Sequence, residues 1–357
     1  MIPQLAPERA VLIPAAIDPA LPPAGSRLHT LAGTSMGTGW SARFMVPASA
    51  PAGLEGGLRR LLQAELDLVV AQMSHWEPDS LLSRFNAAPA GSWTDLPDAF
   101  YEVVDYALRV RDDTHGAYDP AAGALVNLWG FGPARRYDQA GFYAPAADAV
   151  AAVMAGRSGA RVALDRERRR LYQPGGALLD LSSVAKGYAV DRLALCLERH
   201  GLRHYVVEAG GELRGAGVKD DGQPWWIEVE GVPDAETPET VVALHGLAIA
   251  TSGDYRRYFW QTHGQAAHGR RASHTLDPRT GWPIAHDTAS VTVLASSCMA
   301  ADALSTALNV LGPQDGLAFA EEGAIAARFL VRRGAGPAAL AEYSSSAWRA
   351  MLDASPE

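Results

Sequence analysis

Apolar side chains recur at helical spacing in several stretches of this chain. The clearest stretch is Leu54–Met73, where Leu58, Leu62 and Leu66 lie about one turn apart and predict an amphipathic helix. Similar spacing predicts helices over residues 97–114, 185–200 and 299–311. Four helices are therefore expected, separated by long intervals that need another structure.

Strand-like runs, short and rich in β-branched and aromatic residues, fill those intervals. They are predicted within 34–46 and at 161–163, 170–172, 177–181, 204–208, 225–229, 241–244, 247–251, 289–294 and 325–331. The runs cluster in twos and threes between helices and do not alternate with them one for one. This order favours an α+β fold over a doubly wound parallel sheet.

The two ends of the chain differ from its body. Residues 1–27 are rich in proline and alanine and predict an irregular N-terminal arm, followed by a folded domain over 28–345 and a C-terminal tail over 346–357. The short apolar run Ala10–Ile17 is broken by Pro14 and does not resemble a secretory signal. The chain as written is therefore expected in the cytoplasm. A leader missing from it would make a periplasmic or membrane-anchored location the expectation.

Composition narrows the possible classes of protein. The chain has 357 residues, of which 48% are hydrophobic and 20% charged, as in an ordinary globular protein. A formal net charge of −9 argues against a nucleic-acid binder, and no apolar stretch is long enough to cross a bilayer. Cys196 and Cys298 lack the spacing of a zinc site or a disulfide framework and are predicted to be reduced core thiols.

Lysine is scarce, which draws attention to Lys186. Only Lys186 and Lys219 are lysines among 31 basic residues. Lys186 lies in the segment Asp180–Asp191, which is interpreted as a strand that ends at the start of a helix. The free N–H groups and the dipole of a helix N-terminus, together with an ammonium group, suit a bound phosphate. A surface lysine after an ordinary buried strand is the alternative.

A second segment offers oxygen ligands. Asp302 and Thr306 are four residues apart and so lie on one face of a predicted helix. Carboxylate and hydroxyl oxygens are ligands that Mg²⁺ accepts, with water and phosphate completing its coordination. Alternatively, Asp302 caps the first turn while Ser305 and Thr306 bond back to the helix backbone.

A third segment, His274–Gly281, combines an ionisable side chain with a turn. His274 could act as an acid, a base or a hydrogen-bonding group near neutral pH. Asp277 precedes Pro278 and is a common turn opener, so a purely structural role is equally open. The chain lacks the motifs of P-loop NTPases, HExxH metalloproteases and α/β-hydrolases.

Eight blocks of residues in order suggest a known family. They are Met36–Thr38, Met73–Ser80 with Ser83–Asn86, Tyr118–Pro120 with Leu125–Gly132, Asp180–Asp191, Gly210–Gly211, Ala250–Gly253, His274–Gly281 and Ala301–Thr306. Together they resemble the FAD:protein FMN transferase family, also called the ApbE family, over about residues 33–312. The resemblance implies an ApbE-like (T-fold-like) α+β fold, with helices packed on antiparallel sheets in two intertwined subdomains.

The activity that the resemblance implies is flavin transfer. Such an enzyme depends on Mg²⁺, cleaves the pyrophosphate of FAD, attaches FMN through its phosphate to a threonine or serine of an acceptor protein, and releases AMP. The expected acceptor is a redox subunit or a flavoprotein reductase. Two alternatives are a Mg²⁺-dependent FAD pyrophosphatase that gives FMN and AMP, and a non-catalytic flavin-binding protein. Storage of a flavin requires no metal, so the pair Asp302 and Thr306 counts against the last alternative.

The resemblance also assigns residues. Contacts to FAD fall at Met36, Trp76, Ala117, Tyr118, Asp119, Asp180, Lys186 and Thr275. Ligands of Mg²⁺ fall at the backbone carbonyl of Ser183 and at Asp302, Ser305 and Thr306. Lys186 and Asp302 with its metal ion would neutralise the charge that develops during catalysis, and His274 would assist deprotonation of the acceptor hydroxyl or orient the phosphate. The chain departs from the family at Trp76, where tyrosine is common, and at His75, where threonine is more typical.

Overall fold

A computed structural model describes residues 9–51, 53–159, 161–233, 235, 237, 239–261, 270–333 and 340–352. The strands within these residues are β1 (Arg9–Leu12), β2 (Arg27–Ser35), β3 (Thr38–Val46), β4 (Ser92–Asp95), β5 (Ala163–Asp165), β6 (Arg170–Gln173), β7 (Tyr205–Ala209), β8 (Glu212–Ala216), β9 (Trp225–Glu228), β10 (Glu239–Leu244), β11 (Leu247–Gly253), β12 (Tyr258–Gln261), β13 (Arg270–Ser273), β14 (Leu276–Asp277), β15 (Trp282–Pro283), β16 (Thr288–Ala295), β17 (Ala326–Arg332) and β18 (Leu340–Ser344).

The helices of the described residues are α1 (Leu54–Met73), α2 (Leu81–Asn86), α3 (Asp98–Asp113), α4 (Gly123–Leu128), α5 (Ala147–Gly159), α6 (Ala185–Arg199), α7 (Cys298–Glu322) and α8 (Ser346–Arg349). A single 3₁₀ turn, Pro120–Ala122, precedes α4. None of these helices is long and apolar enough to cross a membrane.

The chain divides into two compact units, each built from separate segments. The first unit comprises Met1–Leu68, Lys186–Ser252 and Asp287–Glu357, and the second comprises Val69–Ala185 and Gly253–His286. The chain therefore leaves the first unit and returns to it twice, as expected for two intertwined subdomains.

The first unit contains an eight-stranded sheet in the order β18-β17-β16-β11-β8-β7-β3-β2. The pairs β2–β3, β3–β7, β7–β8 and β16–β17 are antiparallel. Helix α7 packs on this sheet, because Ala301 and Leu308 share a buried cluster with Val291, Val293 and Phe329. This cluster anchors the helix that carries the predicted metal ligands.

The second unit contains a three-stranded sheet, β4-β6-β5, two short hairpins and helices α2–α5. Its core includes Leu125, Trp129, Val150 and Leu276. The indole N–H of Trp129 donates to the carbonyl oxygen of Gly281 at 2.8 Å. This bond ties the Pro-containing turn after β14 to α4.

The structure overturns the predicted strand at 177–181, since these residues belong to no strand. Side-chain amides take the place of a neighbouring strand. The amide of Asn86 bonds both the N–H and the carbonyl of Leu179, at 2.8 and 2.9 Å. The amide of Gln173 does the same for Ala177, at 3.2 and 3.0 Å. The backbone groups of Ala177 and Leu179 are therefore satisfied without a ladder.

The irregular arm predicted for residues 1–27 was wrong for Arg9–Leu12, which form β1 and pair in parallel with β10. Residues 1–8 lie outside the described part of the chain. In the predicted tail, Ser346–Arg349 form α8, whose Trp348 is buried, and residues 353–357 are not described. Burial of Leu12 and Trp348 in one cluster explains both differences.

Helix boundaries agree with the sequence where the apolar spacing is regular. Helix α1 has the predicted bounds, whereas α7 continues beyond residue 311 through a break at Gly312, where φ is +78°, and Pro313. Helix α5 was not predicted. The predicted core thiols are confirmed, because Cys196 and Cys298 are free and buried.

Candidate active site

Helix α7 presents the predicted metal ligands in its second and third turns. Ser297 is the N-cap, because its hydroxyl accepts a hydrogen bond from the N–H of Ala300 at 3.2 Å. Asp302 is buried, and its Oδ2 accepts from the N–H of Gly187 in α6 at 2.9 Å. The alternative in which Asp302 caps its own helix is therefore wrong.

Gly187 allows α6 and α7 to meet. A Cβ atom at this position would lie 2.2 Å from the carbonyl oxygen of Cys298 and 2.8 Å from the Cβ of Asp302. Only glycine fits so close an approach of two backbones. Its position directly after Lys186 was visible in the sequence, but the reason for it depends on a helix that begins more than a hundred residues later.

Hydroxyl groups surround the face of α7 that carries Asp302. Ser305 Oγ donates to the carbonyl oxygen of Asp302 at 2.9 Å, which is the back-bonding considered from the sequence. Ser252, at the end of β11, lies 2.9 Å from both Ser305 Oγ and Thr306 Oγ1. Ser252 lies in the block Ala250–Gly253, which contributes to the family resemblance, but the sequence analysis did not include it in the site.

Lys186 belongs to a dense group of charges. Its Nζ lies 2.5 Å from Oε1 of Glu212, a buried residue whose Oε2 has no hydrogen-bond partner among the described residues. Burial and the neighbouring carboxylates of Glu212 and Asp191 raise the pKa of Asp302 to about 7, although Lys186 acts in the opposite direction. The structure thus brings Lys186 and Asp302 into one electrostatic site, as predicted.

In the second unit, Asp180 pairs with His75. His75 Nδ1 lies 3.1 Å from Asp180 Oδ1, which also accepts from the N–H of Ser182 at 2.8 Å. Burial by itself would raise the pKa of Asp180, but His75 and Ser182 outweigh it and lower the pKa to about 2. Burial would lower the pKa of His75, but Asp180 outweighs burial and raises it. The pair is thus a buried ion pair.

A cavity of about 270 Å³ adjoins this ion pair. It is lined by His75, Ser83, Asn86, Ala87, Gly123, Val126, Asn127, Pro133, Leu178, Leu179 and Asp180. Within the described residues, the buried Nε2 of His75 has no hydrogen-bond partner. The cavity therefore combines apolar walls with a few polar groups, as small-molecule sites commonly do.

The other predicted FAD contacts of this unit differ in character. Trp76 is 46% exposed, and the guanidinium of Arg136 lies 6.0 Å from its ring centre. Tyr118 is buried, and its hydroxyl accepts from Ser183 Oγ at 3.3 Å. Asp119 Oδ2 lies 2.7 Å from Arg157, and Oδ1 accepts from the N–H of Ala121. Asp119 therefore has a structural role in shaping the turn.

His274 and Thr275 precede β14 in the second unit. His274 is half-buried, with Nδ1 3.1 Å from the carbonyl oxygen of Arg257 and its ring edge-on to Phe131. An Nδ1–H that donates to this carbonyl leaves Nε2 as the basic nitrogen. Thr275 is buried, and its carbonyl accepts from the N–H of Ile284 at 3.1 Å.

Met36 occupies the turn between β2 and β3. Its φ is +51° and that of Gly37 is +72°, so both central residues of the two-residue hairpin are left-handed. A methionine in this conformation is unusual and points to a constraint beyond the turn itself. The strand predicted within 34–46 is β3, which follows this turn, whereas its partner β2 was not predicted.

The predicted residues divide between the two units. The first unit contains Met36, Lys186, Asp302, Ser305 and Thr306, and the second contains Trp76, Ala117, Tyr118, Asp119, Asp180, Ser183, His274 and Thr275. Within the first unit, one site joins Lys186 to the oxygens of α7. Within the second, Asp180 adjoins the cavity and Ser183 contacts Tyr118.

The fold and site define a class of protein. A buried carboxylate with hydroxyls on one helix face, next to a lysine in the first turn of another helix, suits a phosphate-bearing ligand and a hard cation in an α+β framework. The chain belongs to the ApbE family, whose model matches residues 36–329.

Named relatives agree with this family over nearly the whole chain. The FAD:protein FMN transferase of Klebsiella pneumoniae is 37% identical over 341 residues, covering 92% of this chain and 93% of that protein. The FAD:protein FMN transferase of Vibrio cholerae is also 37% identical, with coverages of 90% and 92%. The solved flavinyl transferase ApbE of Pseudomonas stutzeri has a TM-score of 0.80 and 38% identity, covering 93% of this chain and 98% of that one. The family and the α+β fold predicted from the sequence are confirmed.

Proposed function

We propose that this protein cleaves FAD with the help of Mg²⁺, attaches FMN to a threonine or serine hydroxyl of an acceptor protein, and releases AMP. Membership of the ApbE family and 37% identity to FAD:protein FMN transferases make it an enzyme that transfers flavin from FAD to a protein. The observation that carries the finer proposal is the junction of α6 and α7, where Gly187 binds Asp302 next to Lys186.

The residues of the first unit fit a magnesium ion. Asp302 is buried among the carboxylates of Glu212 and Asp191, and burial and their charge keep its pKa near 7. A divalent cation would relieve this accumulation of negative charge. Because Gly187 uses Oδ2 of Asp302, we assign Oδ1 and the Thr306 hydroxyl as ligands, with Ser305 adjacent.

The proposed donor set contains one carboxylate, that of Asp302. Among the described residues, no three His, Cys, Asp or Glu side chains form a group that could hold a metal. A site with one carboxylate, hydroxyls and water is usual for Mg²⁺, which keeps several waters and binds substrate phosphates. The carbonyl of Ser183, in the second unit, stays a predicted ligand. When held by Asp302 and Thr306, Mg²⁺ would stabilise the negative charge that develops on the phosphoryl oxygens.

The chain's own residues orient the substrates. Glu212 fixes the ammonium of Lys186, so Lys186 can hold a phosphate without searching many rotamers. His274 is proposed to accept the proton of the acceptor hydroxyl at Nε2. The acceptor supplies the nucleophile, and the chain's thiols are unsuited to that role, because burial raises the pKa of Cys196 and of Cys298.

The second unit is proposed to hold part of FAD. Its cavity of about 270 Å³ lies below the usual range for a drug-sized ligand, so it suits one portion of a dinucleotide. Trp76 offers an exposed aromatic face for stacking. Asp180 contributes a carboxylate that stays ionised at neutral pH, able to accept hydrogen bonds from a ligand's donors.

Transfer is tested by mass spectrometry of a candidate acceptor, a redox subunit or a flavoprotein reductase, after incubation with the protein, FAD and Mg²⁺. Wild type is expected to add the mass of FMN and to release AMP. Asp302→Ala is expected to lose transfer, whereas Asp315→Ala, an exposed position on the same helix, should keep it. Normal transfer by Asp302→Ala at low Mg²⁺ would refute the metal assignment.

The same reaction separates the alternatives. A pyrophosphatase would accumulate free FMN and AMP with or without an acceptor, because water replaces the hydroxyl as nucleophile. A flavin-binding protein without turnover would release no AMP. The proposal requires AMP release that depends on the acceptor and FMN recovered on the acceptor.

A further inference from the structure

We infer that Asp191 is a positioning residue of the active site: its carboxylate sets the register of α7 on α6 and thereby places the oxygens that bind the cation. The inference rests on the proposed function, since it concerns the same site. Asp191 itself touches none of the reacting atoms proposed above.

Asp191 binds the first turn of α7 through both carboxylate oxygens. Oδ1 accepts from the backbone N–H of Cys298, and Oδ2 accepts from that of Met299, each at 2.9 Å. These are two of the four N–H groups that a helix start leaves without an intrahelical partner. A carboxylate also complements the positive end of the helix dipole.

A third contact holds the carboxylate in place. Arg214 Nη1, from β8, lies 2.7 Å from Oδ1 of Asp191. The Asp191 side chain is only 14% exposed, so these charge-assisted hydrogen bonds are poorly screened by water. Asparagine could not replace it, because its amide has one acceptor oxygen and would turn an NH₂ group toward a backbone N–H.

The two helices cap each other. Asp191 of α6 accepts from the first turn of α7, and Asp302 of α7 accepts from Gly187 in the first turn of α6. Gly187 and Asp191 are four residues apart on α6, as Cys298 and Asp302 are on α7, so each pair spans about one turn. Two contacts one turn apart fix the distance between the two helices and prevent one helix from sliding along the other.

The sheet cluster anchors α7 as a whole, and two contacts with α6 set where Asp302 lies along α6. Only one of these two contacts involves Asp302 itself. Removal of the Asp191 contact leaves the bond from Gly187 to Asp302 as the other of these two contacts. A cation site needs its ligands within a few tenths of an ångström, and loss of an outer hydrogen bond commonly weakens metal affinity about 10–100-fold. Asp191 should thus control cation affinity without being a ligand.

The test measures binding of Mn²⁺ alone to the full chain, by electron paramagnetic resonance of the free ion. Ser297→Ala is the matched control, because the Ser297 hydroxyl caps the same helix through the N–H of Ala300, a residue of α7 itself. Asp191→Asn is expected to weaken Mn²⁺ binding about tenfold or more, and Ser297→Ala by no more than about twofold. Both variants should lower the unfolding temperature.

Equal Mn²⁺ affinity of Asp191→Asn and Ser297→Ala would overturn the inference and leave Asp191 a purely structural cap. Asp302→Ala serves as the reference for a protein that has lost the cation site. If wild type binds Mn²⁺ no better than this variant, the metal part of the proposed function is refuted. If Asp191→Asn does not fold, Arg214→Met removes the third contact and leaves the carboxylate. This variant should weaken Mn²⁺ binding at least about threefold, and an unchanged affinity would count against the inference.

Discussion

The backbone N–H of Gly187 donates to the carboxylate of Asp302 at 2.9 Å, and the missing Cβ of Gly187 is what lets the two residues meet. The contact places a predicted metal ligand next to the lysine that precedes Gly187. It also brings Asp302 to the N-terminal turn of α6, whose dipole favours an anion there.

Gly187→Ala is expected to destabilise the protein by about 1–3 kcal/mol and to reduce flavin transfer, because the added Cβ would overlap a backbone oxygen that cannot rotate away. Alanine favours helices over glycine by about 1 kcal/mol, so propensity alone predicts the opposite sign. Gly57→Ala in α1 is the control, since a Cβ there meets nothing within 4 Å. Urea unfolding checks both variants, and equal gains in stability would show that the close approach is not tight.

Asp302→Asn is expected to stabilise the metal-free protein increasingly as the pH rises from about 4 to 7. Folding raises the pKa of Asp302 from 3.8 to about 7, so the folded state binds more protons in that window and loses stability as the pH increases. The loss approaches about 1.4 kcal/mol per pH unit for one group, and the neutral amide avoids it. Unfolding in a chelator at several pH values measures the difference between the two proteins. A difference independent of pH would contradict the assignment.

The pair His75 and Asp180 is expected to couple most strongly between about pH 4 and pH 6.5. Because the pKa of His75 is raised in the folded state, its contribution to the free energy of unfolding is complete below pH 6.5, the ordinary pKa of histidine. This contribution is lost as the pH rises through the pKa of His75 in the folded protein. Because the pKa of Asp180 is lowered from 3.8 to about 2 in the folded state, its contribution to the free energy of unfolding is complete above pH 3.8. This contribution is lost as the pH falls through about 2.

A double-mutant cycle with His75→Gln and Asp180→Asn measures this coupling as a free energy of unfolding. The coupling should be about 1–3 kcal/mol near pH 5.5 and smaller near pH 8.5. A coupling that grows with pH would show that His75 is neutral in the folded protein.

Trp76→Ala is expected to raise the KM for FAD about tenfold, which corresponds to roughly 1.4 kcal/mol of lost stacking, and Trp76→Phe should recover most of it. Stability should change little because the side chain is 46% exposed. Trp226→Ala, at another exposed tryptophan, serves as the control. Unchanged steady-state kinetics in Trp76→Ala would remove this residue from the FAD site.

Local patterns in the sequence were enough for the regular helices and for placing two predicted metal ligands on one helix. The bounds of α1 follow from apolar spacing alone, because the apolar residues of an amphipathic helix recur at helical spacing along its whole length and form one buried face. The spacing of Asp302 and Thr306 likewise placed both on one helix face. Order and identity of eight short blocks were enough for the family.

Where the backbone found its partners far along the chain, local patterns failed. The run 177–181 is mostly apolar, yet amides of Asn86 and Gln173 bond its backbone instead of a strand. Residues 9–12 became a strand only because β10, more than two hundred residues later, pairs with them. No local propensity records such a partner.

The sequence by itself determined the four helices with regular apolar spacing, which residues can carry charge and oxygen ligands, and which family the chain resembles. Only the tertiary structure decided that Asp191 and Asp302 each cap the other's helix, that Ser252 joins Ser305 and Thr306, and that Glu212 fixes Lys186. The physical reason is range. Helix periodicity acts over one or two turns, whereas hydrogen bonds and charges act wherever folding brings atoms within a few ångströms. Gly187 and Asp302, for example, are 115 residues apart in the chain.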